Sequence, residues 1–230
     1  MSDTIPRLIL IDGLPGAGKS TTGELLSAAI SASGQPSELY LETQPNHPLH
    51  VFPTDELGAA WTNIHLKTTP ETFGQRSLEL WDTFLAQNTG VVSIIESFPF
   101  QSSIRVLMQM NQSSELIENY WNEWQHRVAR LDAVLLFFHE TDPISLIEQA
   151  FEERGDQWTS YIVRSFELMP YCKTRGLTGK EATIGFLRDY AELLDHLMSN
   201  IQIRAVTFEA RPENYEERQM LVYQAFGLNA

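Results

Sequence analysis

The sequence predicts an α/β protein of three layers, a five-stranded and mainly parallel sheet with helices on both faces. Three observations carry that prediction. Apolar runs of strand length, such as VVSIIE at 91–96 and AVLLFF at 133–138, alternate with segments of helical spacing along the chain. The runs are continuous rather than alternating, which is how strands covered on both faces by crossover helices read. The first run ends in a glycine-rich turn that opens a helix.

Leu8–Asp12 is the first strand. Thr21–Ala32 follows as a helix, with Leu25, Leu26, Ala29 and Ile30 on its buried side and Ser33-Gly34 as its stop. Glu38–Glu42 is the second strand. Thr43–Pro70 is a long stretch with four prolines and three histidines, and one helix is expected near Leu57–His65. A connection of that length is usually functional or mobile. Pro70–Gln87 returns to helical spacing, Val91–Glu96 is the third strand, and Ser113–Arg130 is a helix with Tyr120, Trp121, Trp124 and Val128 on one side. Ala133–Phe138 is the fourth strand and Pro143–Glu153 the next helix. Gly155–Gly179 is polar and rich in cations. Lys180–Ser199, Ile203–Phe208 and Pro212–Phe226 close the chain as helix, strand and helix. Residues 1–230 read as one domain, with a lid at about 151–180.

The composition narrows the function. Sixteen basic against 30 acidic residues leave a formal net charge of −14, a field that opposes non-specific binding to nucleic acid or to an anionic membrane. An anionic small molecule is still allowed where a few cations dominate one cleft. Cys172 is the only cysteine, so the chain has no internal disulfide, and a cysteine-based zinc site is not expected. No signal-type apolar lead and no membrane-length apolar run are present. The expectation is a soluble, cytoplasmic protein.

The chemistry sits in Gly13-Leu-Pro-Gly-Ala-Gly-Lys19-Ser20, which fits G-x-x-x-x-G-K-[ST] at every fixed position. Glycines let the backbone curl so that successive N–H groups point at phosphate oxygens, and the helix that follows turns its positive end to the same anion. Lys19 supplies a point charge for the β- and γ-phosphates, and the Ser20 hydroxyl is a ligand for Mg²⁺. Gly13, Leu14, Pro15, Gly16, Ala17, Gly18, Lys19, Ser20 and Thr21 are therefore the expected nucleotide-binding set, with ATP and Mg²⁺ as the expected cofactors. No N-K-x-D guanine reader is present. Asp55-Glu-Leu-Gly58 matches a D-x-x-G switch but does not follow a buried strand.

Size, loop and layout resemble the nucleoside and nucleotide kinases of the P-loop NTPase fold. That resemblance implies a role for an acid ending the second strand as base or acceptor contact, here Glu42 in Leu-Tyr-Leu-Glu-Thr. It implies a place near metal and phosphates for an acid ending the third strand, here Glu96. It also implies a helical lid whose arginine reaches the transferring phosphoryl group, here Arg154 in Phe-Glu-Glu-Arg-Gly. More narrowly, the chain resembles a group of uncharacterised bacterial phosphate-loop proteins. The shared elements are GLPGAGKSTT, Glu42–Pro48, Ile95–Gln101 and Arg154–Trp158. The chain departs from the nucleoside and thymidylate kinases in having Ser97 where arginine usually follows the third-strand acid. The next arginine, Arg105, either reaches back from the following helix or lies at the surface. The lid also lacks a compact R-x-x-x-R.

Other candidates have plainer readings beside the functional ones. Asp12 orients the loop or shapes a turn. His47 and His50 touch substrate or are solvated in their loop. Trp121 and Trp124 belong to the core or to an interface, and a homodimer is allowed. Arg164, Lys173, Arg175 and Lys180 contact phosphate or line a solvated lid. The expected activity is phosphoryl transfer from ATP to a small-molecule acceptor: a nucleoside, a nucleotide or an antibiotic-like alcohol. The alternative is a nucleotide-dependent switch with slow hydrolysis and a protein partner.

Overall fold

The computed structural model describes residues 5–52, 64–88, 90–210 and 215–228. Its strands are β1 (Leu8–Gly13), β2 (Ser37–Tyr40), β3 (Val92–Glu96), β4 (Ala133–His139) and β5 (Arg204–Glu209). They form one sheet in the order β2-β3-β1-β4-β5, and every pairing is parallel. β1 lies between β3 and β4, with Ile11 beside both Glu96 and Leu136. The central strands are buried along their length because both faces are covered, which is why they read as unbroken apolar runs.

One face is covered by α1 (Lys19–Ala32) and α8 (Tyr215–Ala225), the other by α2 (Pro70–Gln87), α4 (Ser114–Val128), α5 (Pro143–Glu167), α6 (Pro170–Arg175) and α7 (Lys180–Ser199). α1 turns Thr22, Gly23, Leu26 and Ile30 to the sheet, a spacing of one helical face. Leu25, expected on that face, lies a helical step to the side and is 36% exposed. Pro143 and Pro70 sit at the first helical position, and Asp142 and Thr69 cap the helices behind them through the amides of Ser145 and Thr72. Trp121 and Trp124 are core: their rings stack at 4.9 Å, Trp121 stacks on Phe100 at 5.1 Å, and Trp81 meets Trp124 edge-on at 5.8 Å.

Two sequence-based boundaries shift for physical reasons. β2 ends at Tyr40 instead of Glu42. The Leu41 amide donates to the Gln44 side chain, and the Glu42 amide donates to the Glu96 carboxylate at 2.9 Å, so side chains replace the strand ladder. The helix after β4 runs on to Glu167, broken only at Gly155 (φ 77°, ψ 177°). The segment expected to form a lid is helical, and its apolar side, including Phe166, Tyr171 and Cys172, is buried in the core around Phe186. The helix expected near Leu57–His65 falls mostly outside the described residues, of which 64–67 are helical. No helix among the described residues is long and apolar enough to cross a membrane.

Gly13 shows how closely the strand end and the loop are fitted. Its φ is 146°, and a β-carbon there would lie 2.4 Å from the backbone oxygen of Phe138 in β4. Gly13→Ala is expected to force the β1 and β4 ends apart and to destabilise the fold by about 2 kcal/mol or more. Chemical denaturation measures this, and a variant as stable as the parent would contradict the close approach.

Candidate active site

The site forms where β1 and β3 end side by side. Asp12, fully buried, accepts the Gly13 amide at 2.8 Å with one oxygen and the Phe100 amide at 2.7 Å with the other. Burial pushes its carboxyl up to about 7 and Glu96 adds to that, whereas Lys19 and the two amides pull it down. The loop beyond it holds Gly16 and Gly18 at φ 87° and 83°, the left-handed region that glycine tolerates. The backbone N–H groups of Gly16, Ala17 and Gly18 donate to no group of the described protein. That open row of donors, in front of the α1 N-terminus, is what an anionic phosphate chain requires. Ser20 and Thr21 are exposed at the same helix start.

Lys19 bends back over the loop. Its Nζ donates to the carbonyls of Gly13 (3.3 Å) and Leu14 (3.0 Å) and to Gln101 Oε1 (3.0 Å). Gln101 Nε2 in turn donates to Glu42 Oε2 at 2.5 Å, and Ser102 Oγ donates to Glu42 Oε1 at 3.2 Å. A cation on one side and a carboxylate on the other leave the amide only this orientation, oxygen to Lys19 and nitrogen to Glu42. Lys19, Gln101 and Glu42 therefore form a continuous chain from the loop to the segment just after β2. Glu96 supports it: Oε2 accepts the Glu42 amide, and Oε1 accepts the Ser97 hydroxyl at 2.6 Å.

Burial raises the Glu42 carboxyl above its ordinary value. Arg105 opposes this most strongly, Glu96 adds to it, and Lys19 and the Ser102 hydroxyl oppose it. Arg105 is therefore not a distant surface residue. It opens the short helix α3 (Arg105–Gln109), lies half-buried, and donates from Nε to the Gln101 carbonyl at 3.0 Å. A one-turn π-helix, Phe100–Ile104, precedes α3 and aims Gln101 and Ser102 at Glu42. Sequence reasoning assigned no role to Gln101, although it sits in the Ile95–Gln101 segment. Its place as a bridge needs the folded turn.

The structure brings Lys19, Glu42 and Glu96 together but leaves Arg154 apart. Leu146 of α5 lies over Gly16, and Arg154 is eight residues farther on, roughly 12 Å along the helix. Its guanidinium packs 4.9 Å from the Trp158 ring centre, beside the Gly155 break. Lys180 similarly lies over Phe151, and Arg175 over Tyr171 with a hydrogen bond to Asn111. Arg164 and Lys173 are exposed. The solvated reading of His47 is corrected: it is 4% exposed, stacks on Phe98 at 4.6 Å and on His50 at 4.6 Å, and accepts the Leu49 amide at Nδ1. The ring stack holds this part of the loop against Phe98, just beyond the β3 end. The Asp55–Gly58 pattern lies outside the described residues.

No protein-family model matches the chain, and no curated protein sequence does. Among solved structures it is similar to the YorR protein of Bacillus subtilis in complex with phosphorylated GDP. The two share 13% identity over 96% of this chain and 95% of that one, with a TM-score of 0.50. It is also similar to thymidylate kinase from Candida albicans, at 15% identity over 97% of this chain and 92% of that one, with a TM-score of 0.54. These identities carry the fold: a three-layer α/β/α P-loop NTPase fold with a five-stranded parallel sheet.

The His47 environment has a pH signature. Burial, with a smaller part from His50, lowers the imidazole from 6.5 to about 3. Between those values the unfolded chain binds a proton that the folded one does not, so stability is lost as pH falls from 6.5 toward 3. His47→Phe keeps the stacking ring and loses the acceptor for Leu49. It is expected to melt lower than the parent at pH 7 but to lose less of its melting temperature on going to pH 5. Parallel curves for the two proteins would show that His47 titrates normally.

Proposed function

We propose that the protein is an ATP- and Mg²⁺-dependent kinase acting on a small molecule. The observation that carries this reading is the chain Lys19–Gln101–Glu42, which joins the donor-phosphate loop to a half-buried carboxylate just beyond the end of β2. A nucleotide switch has no use for a carboxylate held there. The fold likeness adds support, since one similar structure holds phosphorylated GDP and the other is a thymidylate kinase.

The free amides of Gly16, Ala17 and Gly18 and the α1 N-terminus fit the β- and γ-phosphates of ATP. On binding, Lys19 exchanges its loop carbonyls for phosphate oxygens and moves with the charge toward the transition state. Among the described residues no group of three acidic, histidine or cysteine side chains is placed to hold a metal. Mg²⁺ suits such a site, because it keeps several waters and takes phosphate oxygens with few protein ligands. The exposed Ser20 hydroxyl and the Glu96 carboxylate are the residues that would hold it. Bound there, the ion would neutralise the charge of the phosphate chain. Glu42, raised by burial, is moved toward the range where a carboxylate takes a proton effectively, and it orients or deprotonates the acceptor. In this reading Arg154 serves the transferring group once the guanidinium leaves Trp158 and the part of α5 before Gly155 moves toward the loop. The protein's share of the rate is positioning and electrostatics.

Lys19→Ala is expected to lower ATP turnover about 100-fold or more, and because the buried Nζ makes three hydrogen bonds and offsets the Asp12 charge, a lower melting temperature is expected beside it. Undiminished turnover by the purified variant would remove the central assignment. Glu42→Gln is expected to slow acceptor phosphorylation by about 10²-fold or more, with ATP affinity nearly unchanged. Arg154→Ala should slow transfer to every acceptor, with Arg154→Lys a poor substitute because an ammonium lacks the planar fork. Steady-state kinetics with the best acceptor from a screen of nucleosides, nucleotides and aminated or hydroxylated antibiotics decides each case. Equal rates for parent and Glu42→Gln would move the acceptor site elsewhere.

A further inference from the structure

The glycine-rich loop is also held from α8. Arg218 is 9% exposed and lies one helical turn before Val222 on the buried side of that helix. Its Nη1 donates to the Ala17 carbonyl at 3.1 Å and to the Ala210 carbonyl, just beyond β5, at 2.9 Å. A β-carbon on Gly18 would lie 2.9 Å from its Nη2. The guanidinium packs against two rings, 4.8 Å from the centre of Phe138 and 5.0 Å from that of Tyr215. Phe138 is the residue whose backbone oxygen crowds Gly13. One side chain thus joins the ends of β4 and β5 to the loop, from a position 201 residues beyond Ala17.

The choice of carbonyl has a consequence for the loop. In a trans peptide the C=O and the N–H point in opposite directions. The Ala17 oxygen and the Gly18 N–H belong to one such plane, so an oxygen fixed toward Arg218 turns that N–H away from it. The Gly18 N–H is one of the three loop donors that meet no protein group among the described residues. No other donor among those residues reaches the Ala17 oxygen. Gly18 is in the left-handed region, outside any helical or strand ladder, so Arg218 is what holds this peptide in its orientation.

The charge of Arg218 points the same way. Among the described residues it forms no ion pair with a carboxylate. Burial lowers it from the ordinary arginine value, and Tyr215 opposes that. A neutral donor would tie the same two carbonyls together at less cost, because a buried cation without a counter-charge is unfavourable. An anion at the loop supplies that counter-charge. Arg218 also lines the cleft between α1 and α8 together with Thr21 of the expected nucleotide-binding set.

We propose that Arg218 is a positioning residue for the nucleotide phosphates: by holding the Ala17 carbonyl it keeps the Gly18 N–H aimed into the loop, and its buried charge favours the anion that those donors bind. The inference rests on the nucleotide-binding reading of the same loop and adds to it a residue from the far end of the chain.

The test is calorimetric titration of the full chain with Mg-ATP and Mg-ADP, at a temperature well below the melting point of every variant. Arg218→Met removes donor and charge together and should weaken both nucleotides about tenfold or more. Arg218→Lys keeps the charge but has no planar fork to span two carbonyls, so it should bind about threefold or more weakly than the parent and better than Arg218→Met. Val222→Ala is the comparator for a merely structural tie. It opens a cavity on the same side of α8, should melt lower than the parent, and should keep the parent's affinity for both nucleotides. The inference is overturned if either Arg218 variant binds Mg-ATP as tightly as the parent, or if Val222→Ala loses as much affinity as Arg218→Lys. The lysine variant decides alone where the methionine variant does not fold. A parent that binds neither nucleotide would remove the ATP reading and this inference with it, whereas a parent that binds and is matched by its Arg218 variants removes the inference alone.

Discussion

Asp12 ends β1 with both carboxylate oxygens committed to backbone amides, one on the glycine-rich loop and one at Phe100, 88 residues farther along the chain. It is fully buried, so desolvation opposes its charge, and Lys19 and the two amides are what offset that cost. Everything around the site depends on this junction. The Gly13 amide sets where the loop begins its curl. The Phe100 amide sets where the π-helical turn begins, and Gln101 and Ser102 are the next two residues of that turn. A carboxylate in this place couples the position of the loop to the position of the residues that hold Glu42.

The apolar side of the same turn is fixed just as firmly. Phe100 stacks on Trp121, which stacks on Trp124, which meets Trp81. The turn therefore has a polar edge facing the loop and an aromatic edge buried between α2 and α4. Aromatic packing of this kind is specific in geometry as well as favourable in area. It keeps Gln101 at a hydrogen-bonding distance from Lys19 without any rigid segment between them in sequence. His47, stacked on Phe98, extends the aromatic wall to the segment after β2.

The charge distribution gives the site its character. The chain carries a net charge of −14, yet each carboxylate here has a defined donor: amides for Asp12, an amide and a hydroxyl for Glu96, an amide nitrogen and a hydroxyl for Glu42. Lys19 and Arg105 are placed among them. The donors offset part of the desolvation that burial imposes on Asp12 and Glu42, whose carboxyls are nonetheless raised, and the free loop amides remain open to an anion.

By itself the sequence determined what is local. The loop pattern is contiguous, so Gly13–Thr21 was legible as a strand–turn–helix junction. Buried strands appeared as apolar runs, and the acids Asp12 and Glu96 were visible because they end such runs. Tertiary structure decided what depends on distant parts of the chain meeting. The order β2-β3-β1-β4-β5 places Glu96 next to β1, and no periodicity states a neighbour across a sheet. The role of Gln101 depends on a turn anchored by Asp12, and the burial of His47 depends on Phe98. Leu25 was misread because helical spacing gives a face only to within one residue. Arg154 stands out by its motif, but its separation from the loop is set by its place eight residues beyond Leu146 on α5. Tyr190 sits in an amphipathic helix where a tyrosine looks like core. Only the fold shows that its hydroxyl is buried without a partner among the described residues, because hydrogen-bond satisfaction is a property of three-dimensional neighbours and not of sequence position.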